Sequence, residues 1–316
     1  MDFFGHTPVL LGESVEALQV RGNGRYIDCT VGAGGHAAAI LQRCTPGGQL
    51  LGIDADPQAI AVAKERLDHY DGRFTLVRGN FRYLEDIYNR FSLSPANGIL
   101  FDLGMSTLQL EDRERGFSFQ HDSPLDMRFD PDQELTAADV VNTIPEEALA
   151  LILERYGEEP RSRQIARRIV ENRPIRSTGE LVHAVEQVAR GRRKIHPATR
   201  TFQALRIAVN RELENLELAL KQAVDILDIG GRLVVISFHS LEDRLVKGFL
   251  RREAQGCLCP RGTPTCICGH KPTLRLIAKK AIKPSPDEVQ SNPRSPSARM
   301  RDAERIASGV EVEDGY

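Results

Sequence analysis

The chain has 316 residues, 41% of them hydrophobic and 27% charged, with a formal net charge of −2. That is ordinary for a globular protein and leaves room for two domains and a substantial core. No apolar run reaches the roughly 18 residues of a membrane span, and the chain does not open on a basic-then-apolar segment, so the expected location is the cytoplasm, with no membrane partner.

The charge is unevenly placed. Asp102 to Glu147 is mostly acidic, whereas Arg155 to Arg211 is dense in arginine, including Arg161, Arg163, Arg167, Arg168, Arg173, Arg176, Arg192, Arg193, Arg200 and Arg206. Local basicity of this kind points to a polyanion such as nucleic acid. The competing reading is a set of solvated helix faces balanced by Glu154, Glu158, Glu171 and Glu186.

Taken in order, Ser14 to Val20 is expected as a helix and Tyr26 to Cys29 as a strand. Gly32, Gly34 and Gly35 then form a turn that lets backbone approach a ligand. His36 to Arg43 opens a helix whose first N–H groups attract an anion. Leu50 to Ile53 is the next strand, closed by Asp54, an acid placed to meet ribose hydroxyls. The segment fits a dinucleotide fingerprint with Ala37 in the last slot, and equally the nucleoside site of S-adenosylmethionine (SAM) enzymes. Asp28, just before the turn, would hold the methionine ammonium of SAM and repel a pyrophosphate. A tight turn with no ligand is the plainer alternative.

A helix is expected over Ala59 to Leu67, a strand over Phe74 to Val77, and a helix over Tyr83 to Phe91. Phe81, at that strand's end, could cover an adenine or simply fill the core. The apolar run Gly98 to Asp102 reads as a buried parallel strand with an acidic C-terminal end. Strands alternating with helices give a doubly wound α/β sheet, with ligands at the carboxyl ends of its strands. Asp28, the glycine turn, Asp54, Phe81 and Asp102 all fall on that edge.

From Glu111 to Asp132 the alternation stops in a loop carrying Phe117, Phe119, Leu125 and Met127, too apolar for free disorder. A helical insert follows. Thr143 to Glu146 reads as a capping box, Ile165 and Ile169 mark a second helix, and Ser177 to Glu180 caps a third. Arg190 to Lys194 reads as a basic loop. His196 begins a long helix, or two joined at Asn210, reaching Leu227. Gly230 to His239 leads into a fifth strand and Leu241 to Glu253 into its helix. Leu274 to Lys280 and Ala298 to Glu304 are expected as the last strands, joined by Pro284 to Pro296. The expected domains are a core over 1–132, a helical substrate-recognition insert over 133–207, and the rest of the core over 208–316.

Several of these segments together resemble the RsmH (MraW) family of bacterial SAM-dependent ribosomal RNA methyltransferases. They are His6-Thr-Pro-Val-Leu, Asp28 to His36, Asp54-Ala-Asp-Pro, Asp102-Leu-Gly-Met-Ser, Arg115-Gly-Phe-Ser-Phe, Pro124-Leu-Asp-Met-Arg128, His196 to Ala204, Ser237 to Arg244 and Asn292-Pro-Arg-Ser. The resemblance runs nearly end to end. It implies a seven-stranded, mostly parallel, Rossmann-like methyltransferase sheet with an inserted all-helical domain. It further implies methylation of the N4 amine of a cytidine in the decoding region of 16S rRNA. By the resemblance, Gly34, Gly35, His36, Asp54, Phe81, Asp102 and Gln109 are cofactor positions; Asp28 and Gly32 join them from the glycine-turn reading.

Asp102 is the candidate catalytic residue, placed to accept from the amine. Many amino-methyltransferases carry an Asn or Asp followed by Pro-Pro and an aromatic here; this chain has Asp102-Leu-Gly-Met, so Asp102 could serve SAM, the amine or both. Phe117 and Phe119 are candidates for holding an unstacked base, against packing within their loop. Arg192, Arg193, Lys194 and Arg200 are candidates for gripping phosphate, and His239 for contacting RNA or ordering the site. The expected partner is 16S rRNA in the small ribosomal subunit, and a homodimer is compatible with the sequence.

Cys257, Cys259, Cys266 and Cys268 form two Cys-x-Cys pairs. A zinc site, a disulfide and free thiols all stay open, and no metal is assigned. Such cysteines occur in only part of the family resembled. Cys29 and Cys44 read as core residues. The rival functions are an NAD-binding dehydrogenase, a SAM-fold RNA-binding assembly factor, and a methyltransferase acting on DNA or protein.

Overall fold

The computed structural model describes residues 8–91, 95–188, 196–260, 263 and 265–307. The chain divides into two compact units, residues 1–104 with 215–316, and residues 105–214.

In the first unit, α1 (Leu11–Ala17) precedes β1 (Arg25–Asp28), α2 (Gly35–Arg43), β2 (Gln49–Asp54) and α3 (Pro57–Leu67). Then come β3 (Phe74–Arg78), a 3-10 turn at Phe81–Tyr83, α4 (Leu84–Phe91) and β4 (Ala96–Asp102). The strands alternate with helices because short β-branched and aliphatic runs are cut by capped starts. Asp56 accepts from Gln58 N with Pro57 at the first helical position of α3, and Asn80 accepts from Arg82 N.

The second unit holds α5 (Thr107–Glu111), α6 (Ala137–Thr143), α7 (Glu146–Gly157), α8 (Ser162–Glu171), α9 (Thr178–Glu186) and α10 (Thr199–Asn210). Helix α11 (Glu212–Ile226) carries the chain back to the first unit. There β5 (Leu227–Ser237), α12 (Ser240–Glu253), β6 (Leu274–Leu276), α13 (Pro286–Ser291) and β7 (Arg299–Arg305) complete it.

The seven strands make one sheet in the order β3-β2-β1-β4-β5-β7-β6. The pairs among β1 to β5 are parallel, and β7 runs antiparallel to both β5 and β6. This is the doubly wound sheet expected. One face buries Ile27, Leu51, Ile99, Phe101 and Leu233 against α4, α11 and α12; the other buries Tyr26, Leu50, Leu100 and Val234 against α1, α2 and α3. Cys29 and Cys44 are buried, as expected of core residues. Among the described residues no helix is long and apolar enough to cross a membrane.

Several boundaries differ from the sequence reading. Thr143 does not cap α7: it ends α6, its hydroxyl donating to Asp139 O (2.7 Å), and α7 starts after Pro145 with no side-chain cap. The reading missed α6, whose true capping box is Thr136 with Asp139. The long helix is two, because Arg211 adopts φ 49° and breaks the ladder. The Pro284–Pro296 connection contains α13, capped by Ser285, and β6 covers only part of the expected strand.

The units also divide at 104 and 214 rather than at 132 and 207, because the loop after α5 belongs to the helical unit. Phe117, Leu125 and Met127 share a core there with Leu149, Leu153, Ile165 and Leu205. Backbone bonds from Ala137 N to Asp126 O (2.7 Å) and Leu125 N to Arg176 O (3.2 Å) fix the loop.

Candidate active site at the strand ends

Three adjacent parallel strands each end in an aspartate: Asp54 on β2, Asp28 on β1 and Asp102 on β4. The register pairs Asp28 with Gly52 and with Leu100. Asp54 and Asp102 therefore each reach two residues beyond Asp28, about 7 Å at strand rise. Asp28 sits at the floor of the edge, 1% exposed, while its neighbours are half-buried on either side.

That position sets the electrostatics. Burial pushes the Asp28 carboxyl up to about 7, against the pull of His36 and a hydrogen bond from Thr30 N. Asp54 is raised to about 6, again by desolvation, although it accepts from Asp56 N and Gly32 N, both at 2.9 Å. His36, on the first turn of α2, lies with Nε2 3.4 Å from Asp102 Oδ2 and Nδ1 3.1 Å from Ser14 Oγ. Burial alone would lower its pKa, but the carboxylates of Asp102 and Asp28 outweigh it and the net shift is upward.

The glycine turn is built for more than one reason. Gly34 adopts φ 78° as the N-cap of α2, and a side chain on Gly35 would collide with the ring of Pro8. Those two glycines answer to packing. Gly32, at φ 51°, is different: among the described residues a Cβ there would meet only Thr30 O, at 3.8 Å, so they leave space beside the turn. Among the described residues no side chain caps α2.

Two residues that the sequence reading missed hold this edge. Thr30 Oγ1 accepts from Asp102 N at 2.7 Å, fixing the end of β4 to the turn after β1. Ser14, mid-helix in α1, orients His36. Thr30 was findable, standing between Asp28 and the glycines. Ser14 was not, because its partner is 22 residues away with no local pattern linking them.

The edge fits a cationic nucleoside ligand. Among the described residues, Asp28 Oδ2 and Asp102 Oδ1 are buried without a hydrogen-bond partner, and such groups are costly unless something fills them. The carboxylates of Asp28, Asp54 and Asp102 along one sheet edge complement the ammonium and sulfonium of SAM and oppose a pyrophosphate. Phe81 is half-buried beyond β3, its ring edge-on to Phe101 at 5.7 Å.

The remaining expected residues are placed as follows. Gln109 lies in the helical unit, where it completes the capping box of α5 with Ser106. Phe117 is 5% exposed and stacks on Phe129 (5.5 Å), which makes it a core residue of the loop rather than an open platform for a base. Phe119 is less covered, stacked on His196 at 4.6 Å and edge-on to Phe202 at 5.1 Å. His239 caps α12, with Glu242 accepting from its backbone N–H in return, a structural use of that histidine.

Arg200 donates to Glu158 O at the end of α7 (3.0 Å). Arg161 and Arg173 likewise bind backbone carbonyls, and Arg206 pairs with Glu212 (2.8 Å). Part of the basic stretch therefore builds the helical unit, while Arg155, Arg163, Arg167, Arg168 and Arg176 are exposed. Arg192, Arg193 and Lys194 lie outside the described residues.

Comparison with known proteins agrees with this geometry. Residues 3–306 match the model of the MraW methylase family. A "Ribosomal RNA small subunit methyltransferase H" of Dehalococcoides mccartyi is 57% identical over 97% of this chain and 88% of its own. The protein of the same name from Thermomicrobium roseum is 56% identical, over 96% and 94%. That from Carboxydothermus hydrogenoformans is 48% identical, over 96% and 99%. With its Rossmann-like sheet and acid-lined strand ends, the chain belongs to the MraW methylase family and is a SAM-dependent methyltransferase.

Proposed function

We propose that the chain methylates the exocyclic N4 amine of a cytidine in the decoding region of 16S rRNA, acting in the cytoplasm on the small ribosomal subunit. The observation that carries the reading is the pair of buried carboxylate oxygens, Asp28 Oδ2 and Asp102 Oδ1, that have no hydrogen-bond partner among the described residues, beside the glycine turn. The names of the relatives supply the substrate class; the resemblance noted from the sequence supplies the cytidine amine.

SAM, when bound, supplies an electrophilic methyl on a sulfonium. Asp28 is suited to its ammonium, Asp54 to the ribose hydroxyls, Phe81 to the adenine face, and the backbone at Gly32, Gly34 and Gly35 to close approach. An aromatic amine is a poor nucleophile, its lone pair delocalised into the ring. The chain's main task is then alignment, which contributes roughly 7–11 kcal/mol in well-oriented model reactions. Asp102 Oδ1 accepts from the amine N–H and stabilises the positive charge developing on nitrogen. Its other oxygen faces His36, so one carboxylate serves both the cofactor edge and the amine. In the helical unit, Phe119 and the exposed arginines, with Arg192, Arg193, Lys194 and Arg200, serve RNA.

The test incubates purified protein with labelled SAM and small subunits from cells lacking the homologous enzyme, then identifies the modified nucleoside by mass spectrometry. Label on N4 of one 16S cytidine is expected. Binding of SAM with no label on subunits or naked RNA would overturn the reading in favour of an assembly factor.

A further inference from the structure

The loop joining α12 to β6 carries a cluster that the methyl-transfer site does not use. The Sγ atoms of Cys257, Cys259, Cys266 and Cys268 all lie within 4.8 Å of one another. Separations are 3.5 Å for Cys257–Cys266, 3.8 Å for Cys257–Cys268, 4.0 Å for Cys259–Cys266 and 3.5 Å for Cys266–Cys268. Four thiolates at the zinc–sulfur distance of about 2.3 Å occupy a tetrahedron with edges of about 3.8 Å. The observed edges scatter around that value.

The backbone is arranged around the sulfurs as well. Leu258, between the first two cysteines, donates its N–H to Cys268 Sγ (3.3 Å). Ile267, between the second two, donates to Cys259 Sγ (3.4 Å). The two Cys-x-Cys pairs thus exchange reciprocal N–H···S bonds, and Cys259 N adds a third, to Cys257 Sγ (3.4 Å). Donors aimed at sulfur favour the thiolate and orient it as a ligand.

An apolar core does not hold this loop. Leu258 is 40% exposed and Ile267 83% exposed, so the side chains between the cysteines bury little. Polar contacts pin its base, where Thr273 N donates to Glu253 O (2.8 Å) and His270 Nε2 meets Arg252 O (3.0 Å). A loop that brings four sulfurs together with so little apolar burial calls for a cross-link.

We propose that Cys257, Cys259, Cys266 and Cys268 form a tetrathiolate site for one Zn²⁺ ion that staples the loop between α12 and β6. Binding forms four Zn–S bonds and releases the thiol protons to solvent, with no change in oxidation state. Four thiolates in a tetrahedron suit zinc or iron. Zinc is assigned because the cluster is at the surface, where a redox-inert ion persists under oxygen. The ion's role is structural: it has no part in the methyl transfer proposed above, and its test does not depend on that reading.

The experiment measures metal in untagged full-length protein purified without chelator, by mass spectrometry of the elements. About one zinc per chain is expected, falling to roughly a tenth or less in the Cys259→Ser/Cys266→Ser variant. Should that variant fail to fold, as judged by circular dichroism, wild-type protein alone decides. Stripped of metal under reducing conditions and given Co²⁺, it should show thiolate-to-cobalt charge transfer and tetrahedral ligand-field bands. Stoichiometric iron, disulfides among these four cysteines, or metal-free protein with no cobalt–thiolate spectrum would each overturn the assignment.

Discussion

His36 Nε2 faces Asp102 Oδ2 at 3.4 Å, while His36 Nδ1 lies 3.1 Å from Ser14 Oγ. The Ser14 hydroxyl also lies 2.9 Å from Leu11 O; when it donates there it accepts from the ring, and Nδ1 carries a proton. A neutral ring would then turn a lone pair on Nε2 toward a carboxylate. A proton there relieves the conflict, in keeping with the raised pKa of His36. The contact with His36 engages one oxygen of Asp102 and leaves Oδ1 for a ligand.

Asp102→Asn should therefore damage chemistry more than binding. The variant keeps the backbone bond from residue 102 to Thr30 Oγ1, so the strand end stays in place. Single-turnover methylation is expected to slow by about 10²–10³, the usual cost of losing one charge-stabilising partner. SAM affinity is expected to change far less, and NMR of His36 should show its pKa falling. An unchanged single-turnover rate would remove Asp102 from the amine.

SAM binding should depend on pH through Asp28. Its folded pKa of about 7 lies above the unfolded value of 3.8, so in the free protein the stability it contributes is present below pH 4 and is lost as pH rises through 7. The span corresponds to a cost of roughly 4 kcal/mol for ionising this buried group. A ligand ammonium favours the ionised form, so affinity should rise from about pH 5.5 to 8. His36 on α2, Asp102 on β4 and Asp54 on β2 face Asp28, and Asp54, at about 6, shares the early part of the rise. Titration calorimetry should find the rise flattened in Asp28→Asn; an identical profile there would exclude Asp28 as the partner.

Gly32→Ala probes the open side of the turn. The left-handed backbone costs an alanine about 1–2 kcal/mol, while among the described residues its methyl meets nothing nearer than Thr30 O at 3.8 Å. The expected result is a folded protein whose SAM dissociation constant rises at least about tenfold, an effect of about 1.4 kcal/mol. A small drop in melting temperature with unchanged affinity would mean that no ligand uses the space.

Asp243 ties α12 to β7, accepting from Arg301 Nε (2.7 Å) and Arg299 Nη1 (3.1 Å). Burial works to raise its pKa, but the two guanidiniums outweigh it and the net shift is downward. Its stability contribution is accordingly present above the unfolded pKa and lost as pH falls through the lower, folded one. Asp243→Ala should destabilise by about 1–3 kcal/mol, as measured by urea unfolding, because Arg301 is largely buried and loses its charged partner while exposed Arg299 stays solvated.

Replacing Arg192 and Arg193 by glutamine should weaken RNA binding and flatten its salt dependence, the slope of log K against log salt falling by about 1–2. Filter binding across salt concentrations measures both. Unchanged affinity and slope would release these residues from the RNA interface.

The sequence by itself determined the α/β alternation, the strand ends bearing Asp28, Asp54 and Asp102, and the family. These signals are local: apolar runs, glycines and caps lie within a few residues of one another, and the motifs recur in order along the chain. Only the tertiary structure decided that Asp28 is recessed two residues behind its neighbours, because register is a property of paired strands. It likewise gave Phe117 to the core, the loop after α5 to the helical unit, and His239 to a helix cap. An aromatic or a histidine looks the same in sequence whether it packs or binds; burial and partners, which come from segments far apart in the chain, make the difference. The four cysteines show this most plainly: their spacing left zinc, disulfide and free thiol all open, and the convergence of two Cys-x-Cys pairs through crossed N–H···S bonds is what points to a metal.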